Sequence, residues 1–158
     1  MLLTEEQEQV RDAAREVAQR SLAPHSAEWD SQAVFPRAAL RELGKLGFMG
    51  MTVPPEWDGA GTDYVAYALA LEEIAAGDGA VSTIMSGHNS VGCMPLVEYG
   101  TPEQKEKYLR PMARGIPNLL LLLGQQHISY SAACRRVASR AFNNSRATIS
   151  FCTSVAPS

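Results

Sequence analysis

Acidic residues are missing from the last part of this sequence. All seventeen Asp and Glu of the 158 residues lie at or before Glu106, together with seven of the fourteen Lys and Arg. The chain from Lys107 onward carries the other seven bases and no acid. Because the two parts differ so strongly in composition, we expect a domain boundary between residues 106 and 115.

Cysteine is scarce and long apolar runs are absent. Cys93, Cys134 and Cys152 form an odd, widely spaced set, which excludes a disulfide framework or a cysteine-based zinc site and favours a reducing compartment. No apolar run approaches the ~20 residues that cross a bilayer. The first eight residues carry three glutamates, unlike a signal or transit peptide. We therefore expect a soluble, cytoplasmic protein.

Helical periodicity dominates residues 1–115. Capping signals, in which a side chain at the helix start accepts a hydrogen bond from the backbone three residues on, precede several amphipathic stretches. Small residues on one face of the fourth stretch let another group approach its backbone closely. The predicted helices run from the Thr4 and Gln7 capping box to Pro24, from Pro36 to Gly47, from Asp63 to 77–79, from about 80 to 99, and from Thr101 to Pro111.

Turn residues and loss of periodicity mark the rest of the chain. Residues 53–61 are rich in proline and glycine, which predicts an ordered loop. After Gly115 only a brief strand at 119–123 and a brief helix at 131–142 are suggested. The fold expected is all-α, an up-and-down helical bundle over residues 1–115, followed by an irregular basic tail over residues 116–158 that we expect to be poorly packed and protease-sensitive.

No constellation of residue types indicates a catalytic or metal site. The turn at 59–61 lacks the third glycine of a nucleotide-binding fingerprint, and the three histidines are too scattered for a metal site. A relay through Ser86, His88 and Ser90 with Asp78 is geometrically poor, because residues two apart on a helix do not face each other. Glu72 and Glu73 are interpreted as solvated or helix-pairing charges. The basic tail has no nucleic-acid or membrane module, so neither partner is expected.

Several short segments, taken in order, resemble the amino-terminal helical domain of the acyl-CoA dehydrogenases. Each is weakly specific by itself, but their order and spacing are highly specific. The resemblance covers residues 1 to about 115. The segments are 3–7 (LTEEQ), 35–36 (FP), 43–48 (LGKLGF), 53–61 (VPPEWDGAG), 68–75 (ALALEEIA), 88–92 (HNSVG) and 99–109 (YGTPEQKEKYL).

The resemblance implies an FAD enzyme that desaturates an acyl-CoA thioester between its α and β carbons. A carboxylate takes the α proton, the β hydride moves to the flavin, and an electron-transferring flavoprotein receives the electrons. A homo-oligomer is a further implied partner. In the family the amino-terminal domain supplies part of the acyl pocket wall, which by resemblance is formed here by Thr83, Gly87 and Val91 on the fourth helix. No catalytic, flavin-binding or metal-binding residue is assigned.

The sequence after Gly115 departs from the family pattern. The flavin-holding β domain and the helical bundle that usually carries the catalytic glutamate are not recognisable, and no acid follows Glu106. Truncation, a frameshift or a fused foreign end would each produce this join. The leading hypothesis is a family member represented by its amino-terminal domain and by itself inactive, and the alternative is a non-catalytic helical interaction module.

We predict that the purified chain neither retains FAD nor oxidises acyl-CoA thioesters, because the groups that would hold the flavin and remove the proton are not recognised in it. The measurements are the visible absorption spectrum and the reduction of an artificial electron acceptor with a panel of thioesters. A yellow protein that reduces the acceptor would contradict this expectation.

Overall fold

A computed structural model describes residues 2–115, and these residues form helices, turns and no strand. The all-α prediction is confirmed, whereas the expectations for residues 116–158, including the strand at 119–123 and the helix at 131–142, fall outside the described residues. The helices are α1 (Glu5–Val17), α2 (Ala23–Ser31), α3 (Arg37–Lys45), α4 (Tyr64–Gly77), α5 (Gly79–Gly87), α6 (Met94–Tyr99), α7 (Pro102–Gln104) and α8 (Arg110–Ala113).

Side-chain caps begin the helices where the sequence predicts them. The Thr4 hydroxyl accepts from the Gln7 backbone, while the Gln7 side chain accepts from the Thr4 backbone. Asp63 caps α4 by accepting from the Ala66 N–H at 2.7 Å, and Thr101 opens α7 with a second capping box. Each cap satisfies a donor that the first helical turn leaves without an intrahelical partner.

The prediction that the first helix ends at Pro24 is wrong. The helix continues to Ser31, because a wide π-helical segment, Ala18–Leu22, joins α1 to α2 just before the proline. Two more such segments within residues 2–115, His88–Cys93 and Lys105–Leu109, join α5 to α6 and α7 to α8. Each of the three is followed, two residues later, by a proline.

The π-helical segments explain how these helices tolerate proline. A proline ring clashes with the carbonyl four residues earlier in an α-helix and has no N–H to donate. Here the residue before each proline instead donates its N–H to the carbonyl five residues back, as Met94 does to Asn89 before Pro95. The same bond joins Ala23 to Ala18 and Arg110 to Lys105. The wider turn moves the obstructing carbonyl away from the ring.

The core lies where α4 packs against α1 and α5, and where the turn Phe48–Gly50 after α3 meets the π-helical segment that follows α5. Gly77 at the end of α4 allows a close approach to the π-helical segment after α1, since a Cβ there would lie 2.9 Å from the Cβ of Ala18. A second, smaller cluster links the loop after α3 to the last helices. The main cluster contains Ala14, Val17, Ala18, Leu22, Ala39, Leu40, Leu43, Phe48, Met49, Met51, Tyr67, Ala70, Ile74, Val81 and Met85, and the second contains Val53, Cys93, Leu109, Met112 and Ala113.

A buried amide side chain ties the centre of this core together. Asn89, in the π-helical segment after α5, is fully buried. Its Nδ2 donates to the carbonyls of Phe48 at 2.9 Å and Met85 at 3.0 Å, and its Oδ1 accepts from the Met51 N–H at 3.0 Å. One side chain therefore satisfies three main-chain groups in two separate segments, which no apolar residue could do.

We predict that Asn89→Ala destabilises the protein by about 3 kcal/mol or more, because it leaves the Phe48 carbonyl and the Met51 N–H without their partner in a dry environment and removes one of the two donors to the Met85 carbonyl. Chemical denaturation followed by circular dichroism would measure the change. The control is Ser90→Ala, at an exposed neighbouring position, which we expect to cost less than about 0.5 kcal/mol. Equal losses for the two variants would contradict the anchoring role of Asn89.

Candidate functional site

The three predicted pocket residues line one open groove. Thr83, Gly87 and Val91 lie along α5 and the π-helical segment that follows it, and the groove has a volume of about 470 Å³. Leu71 on α4 forms the opposite side. Ser82, Ser86 and Ser90 complete the lining, as the small-residue pattern of the fourth helix suggested. Leu71 was not predicted, because it lies on a different helix and its sequence context is that of ordinary packing.

Hydroxyl groups in the groove are largely bonded to backbone carbonyls. Ser82 donates to the Leu71 carbonyl at 3.2 Å, Thr83 to the Gly79 carbonyl at 2.9 Å, and Ser90 to the Ser86 carbonyl at 2.7 Å. A hydroxyl whose proton is engaged in this way offers a ligand only its oxygen lone pairs. The groove is therefore weakly polar despite its serines and threonine.

Among residues 2–115, no charged side chain lines the groove. A pyrophosphate or another anion is normally held by Arg, Lys or a cluster of backbone N–H groups, so the lining does not fit the diphosphate of FAD. An uncharged, partly apolar chain fits it better, since such a chain needs contact area and few polar partners. The groove residues are thus suited to hold an acyl or similar group and not a flavin nucleotide.

Gly87 sets the depth of the groove. Its backbone has ordinary helical angles, φ −60° and ψ −38°, and a Cβ built at this position meets nothing within 4 Å. The missing side chain is therefore not required by packing within residues 2–115. What it does is leave space in the groove, which a larger residue would fill.

His88 lies behind the groove wall and not in it. It is 1% exposed, and its Nε2 lies 3.0 Å from the carbonyl of Met112 on α8. Burial lowers the pKa of His88, and the Met112 carbonyl only partly offsets this effect. A carbonyl can only accept, so Nε2 carries the proton and donates a hydrogen bond to the Met112 carbonyl. The neutral ring thus links the π-helical segment after α5 to α8.

Within the part of the chain that the structure describes, Asp78, His88 and the groove serines do not form a nucleophile relay. The carboxylate of Asp78 caps α5 by accepting from the Val81 N–H and also accepts from the Ser26 hydroxyl, both at 2.7 Å. The His88 ring is bonded to α8. The serines that line the groove therefore have neither of these groups as a base.

The loop at 53–61 is held by a charged and aromatic cluster that sequence reasoning missed. Asp58 pairs with Arg110 at 3.0 Å and with Arg114 at 2.6 Å. Burial acts to raise the pKa of Asp58, but the two guanidinium groups outweigh it and the net shift is downward. Trp57 stacks under Arg110 and Lys105, whose charged groups lie 5.5 and 5.9 Å from its ring centre. The partners are about fifty residues apart in sequence, so no local pattern indicates them.

Glu73 forms a two-pronged ion pair with Arg15, at 2.6 and 3.0 Å, between α4 and α1. The helix-pairing interpretation of this acid is confirmed.

Among residues 2–115 no group of three His, Cys, Asp or Glu could hold a metal ion. Within the same residues, no helix has the length and apolar character that crossing a membrane requires.

Comparison with known proteins places residues 4–116 in a described domain family. They match the family model described as acyl-CoA dehydrogenase, N-terminal domain. The short-chain specific acyl-CoA dehydrogenase of Bos taurus mitochondria is 40% identical over 113 residues, which are 72% of this chain and 27% of the relative. The 3-(aryl)acrylate reductase of Clostridium sporogenes is 39% identical over 123 residues, 78% of this chain and 33% of the relative.

Among solved structures, butyryl-CoA dehydrogenase from Megasphaera elsdenii is similar over 73% of this chain and 31% of its own. The TM-score is 0.69 and the sequence identity is 31%. The chain thus spans about a third or less of the length of these relatives, and the similarity concerns their helical amino-terminal domain.

The buried His88 generates a prediction about pH. Because its pKa in the folded state is below the usual ~6.5, the unfolded chain takes up a proton first, and stability falls as the pH drops below that value. We expect the free energy of unfolding to be lower at about pH 5.5 than at about pH 7.5. In His88→Gln, which keeps a side-chain N–H donor but does not titrate, this difference should shrink.

The control for this prediction is Ser90→Ala, at an exposed position two residues away, which removes no titratable group and should leave the pH dependence unchanged. The pKa values of Asp58 and Asp63 are lowered, so their stabilising contributions are lost only near or below about pH 4, outside the tested interval. A pH dependence that persists undiminished in His88→Gln would contradict the assignment to His88.

Proposed function

The chain belongs to the acyl-CoA dehydrogenase family through its helical domain, and on this premise we propose that the groove forms one wall of a binding site for the acyl part of an acyl-CoA thioester. The reaction served is α,β-desaturation of that thioester. The single observation that carries the proposal is the uncharged groove at Thr83, Gly87 and Val91, open along a face of α5 and closed on one side by Leu71.

The chemistry of the groove supports binding and orientation of an acyl chain. Desaturation requires a base on one side of the chain and a hydride acceptor on the other, so the chain must be held extended and in one orientation. Leu71 and Val91 offer apolar contact area, and the space at Gly87 admits a chain without displacing a side chain. Water excluded from such a surface contributes favourable free energy to binding.

Proton abstraction is not a task for the groove residues. None of them is a carboxylate or a histidine, and the nearby His88 is bonded to Met112. When bound, FAD supplies the hydride acceptor of this chemistry, and no residue of the groove fits its diphosphate. The helical domain therefore positions substrate, and the part of the reaction that moves a proton and a hydride belongs to groups outside the groove.

A short thioester is the substrate class we favour. The groove is open to one side, so the further methylenes of a long chain bury little additional area against this wall. Related proteins named for short-chain and butyryl substrates support the same choice. An electron-transferring flavoprotein and further copies of the chain are partners that the family membership suggests and that this groove does not address.

We predict that butyryl-CoA, added to the isotope-labelled full chain, shifts the backbone amide signals of Thr83, Gly87 and Val91 in nuclear magnetic resonance spectra. Coenzyme A without the acyl group should leave these signals unshifted, because it lacks the group that fits the groove. Gly87→Leu should weaken binding about tenfold or more, because its side chain fills the space that the acyl chain would occupy.

The matched control is Gly79→Leu, on the same helix at an exposed position outside the groove, where an added Cβ also meets nothing within 4 Å. Both substitutions replace a helical glycine and should leave the fold intact. If Gly87→Leu binds as the unchanged chain does, or if coenzyme A alone produces the same shifts, the acyl-binding role of the groove is wrong.

A further inference from the structure

The far end of the groove is built on a widened helical turn. Ser90 and Val91 both lie in the π-helical segment His88–Cys93, whereas Thr83 and Gly87 lie in regular α-helix. The segment closes with a hydrogen bond from the Met94 N–H to the Asn89 carbonyl, five residues back. The groove therefore spans a change of helical geometry.

The widened turn changes where its residues point. In a regular α-helix each residue advances by ~100°, so positions four apart drift by ~40° around the axis with each step. A π-helical turn holds more residues, so each residue in it advances by less than in an α-helix. The drift from Thr83 to Gly87 is thus countered between Gly87 and Val91, and the three positions remain close to one line along the helix.

Two groups hold the turn in its wide form. At its start the Asn89 Nδ2 donates to the Met85 carbonyl, the group that an Asn89 N–H would meet in regular α-helix. At its end Pro95 has no N–H and cannot take part in an α-helical bond to the carbonyl four residues back. Pro95 is exposed, so its contribution does not come from packing in the core.

We propose that Pro95 is a positioning residue for the groove: it maintains the π-helical turn that keeps Ser90 and Val91 in line with Thr83 and Gly87. The inference rests on the acyl-binding function proposed above. Pro95 does not line the groove, yet by this inference it helps to determine which ligands the groove binds. The proline does not touch the ligand and acts through the register of the helix.

A second π-helical segment followed by a proline, at Pro24, provides a control. Pro24 is also exposed and also follows a π-helical segment by two residues, but that segment joins α1 to α2, none of whose residues lines the groove. Pro24→Ala and Pro95→Ala make the same chemical change in the same local geometry. A difference between their effects on the groove cannot arise from the loss of a proline in general.

The test uses the isotope-labelled full chain and two readouts. Scalar couplings across hydrogen bonds identify which carbonyl accepts from the Met94 N–H, and titration with butyryl-CoA reports which amide signals shift. In Pro95→Ala we expect the Met94 bond to move from Asn89 to Ser90, four residues back. The ligand-induced shifts at Ser90 and Val91 should then disappear while those at Thr83 remain, with binding about threefold weaker or more. Pro24→Ala should leave both readouts as they are in the unchanged chain.

The outcomes separate this inference from the proposed function. If Met94 still donates to Asn89 in Pro95→Ala, the proline does not maintain the turn and the inference is overturned. A moved bond with an unchanged pattern of ligand shifts overturns the positioning role, while the acyl-binding function stands. If butyryl-CoA produces no shift in the unchanged chain, the proposed function fails and the positioning role fails with it.

Discussion

The hydrogen bonds of the buried Asn89 side chain are the interaction on which the rest of the described structure depends. Phe48 and Met51, whose main-chain groups it binds, belong to the turn after α3, and Met85 belongs to α5. The turn after α3 also orders the loop that follows it. The Gly50 carbonyl accepts from the Ala60 N–H, and the Met51 carbonyl accepts from the Thr62 N–H. An irregular segment is thereby given defined partners for its backbone without becoming a strand.

The loop extends this order to the last helices. Asp58 takes a left-handed backbone conformation, with φ 62°, and directs its carboxylate to Arg110 and Arg114. His88, next to Asn89 in sequence, reaches the Met112 carbonyl of the same last helix. Two neighbouring side chains therefore connect the π-helical segment after α5 to the turn after α3 and to α8, so that the segment bearing the far end of the groove is fixed from both sides.

Charge and apolarity are separated in a way that suits the proposed function. The ion pairs that join elements, such as Arg15 with Glu73 and Arg20 with Glu42, lie at partly exposed positions between helices. None of these charges lines the groove. Exposed pairs of this kind contribute little to stability. An uncharged groove between such helices can hold an uncharged chain without first removing water from a charge.

Local chemistry made much of this fold predictable. Thr4, Asp63 and Thr101 cap helices through bonds that span three residues, and such patterns can be read in any short window. The left-handed Gly47 after α3, with φ 86°, is likewise a local signal. Family-like segments in a specific order identified the domain, and Thr83, Gly87 and Val91 came from that resemblance rather than from chemistry at the individual positions.

Tertiary structure decided what happens at the prolines and across the groove. The sequence by itself placed helices and caps, because those depend on neighbours within one turn, but it ended the first helix at Pro24, where a π-helical segment that buries Ala18 and Leu22 instead carries the helix past the proline. It also could not supply Leu71 opposite α5 or join Asp58 to Arg110, since these contacts depend on how separate helices meet. A contact between residues that are distant in sequence depends on how the whole core packs the helices together. No short stretch of sequence therefore indicates such a contact.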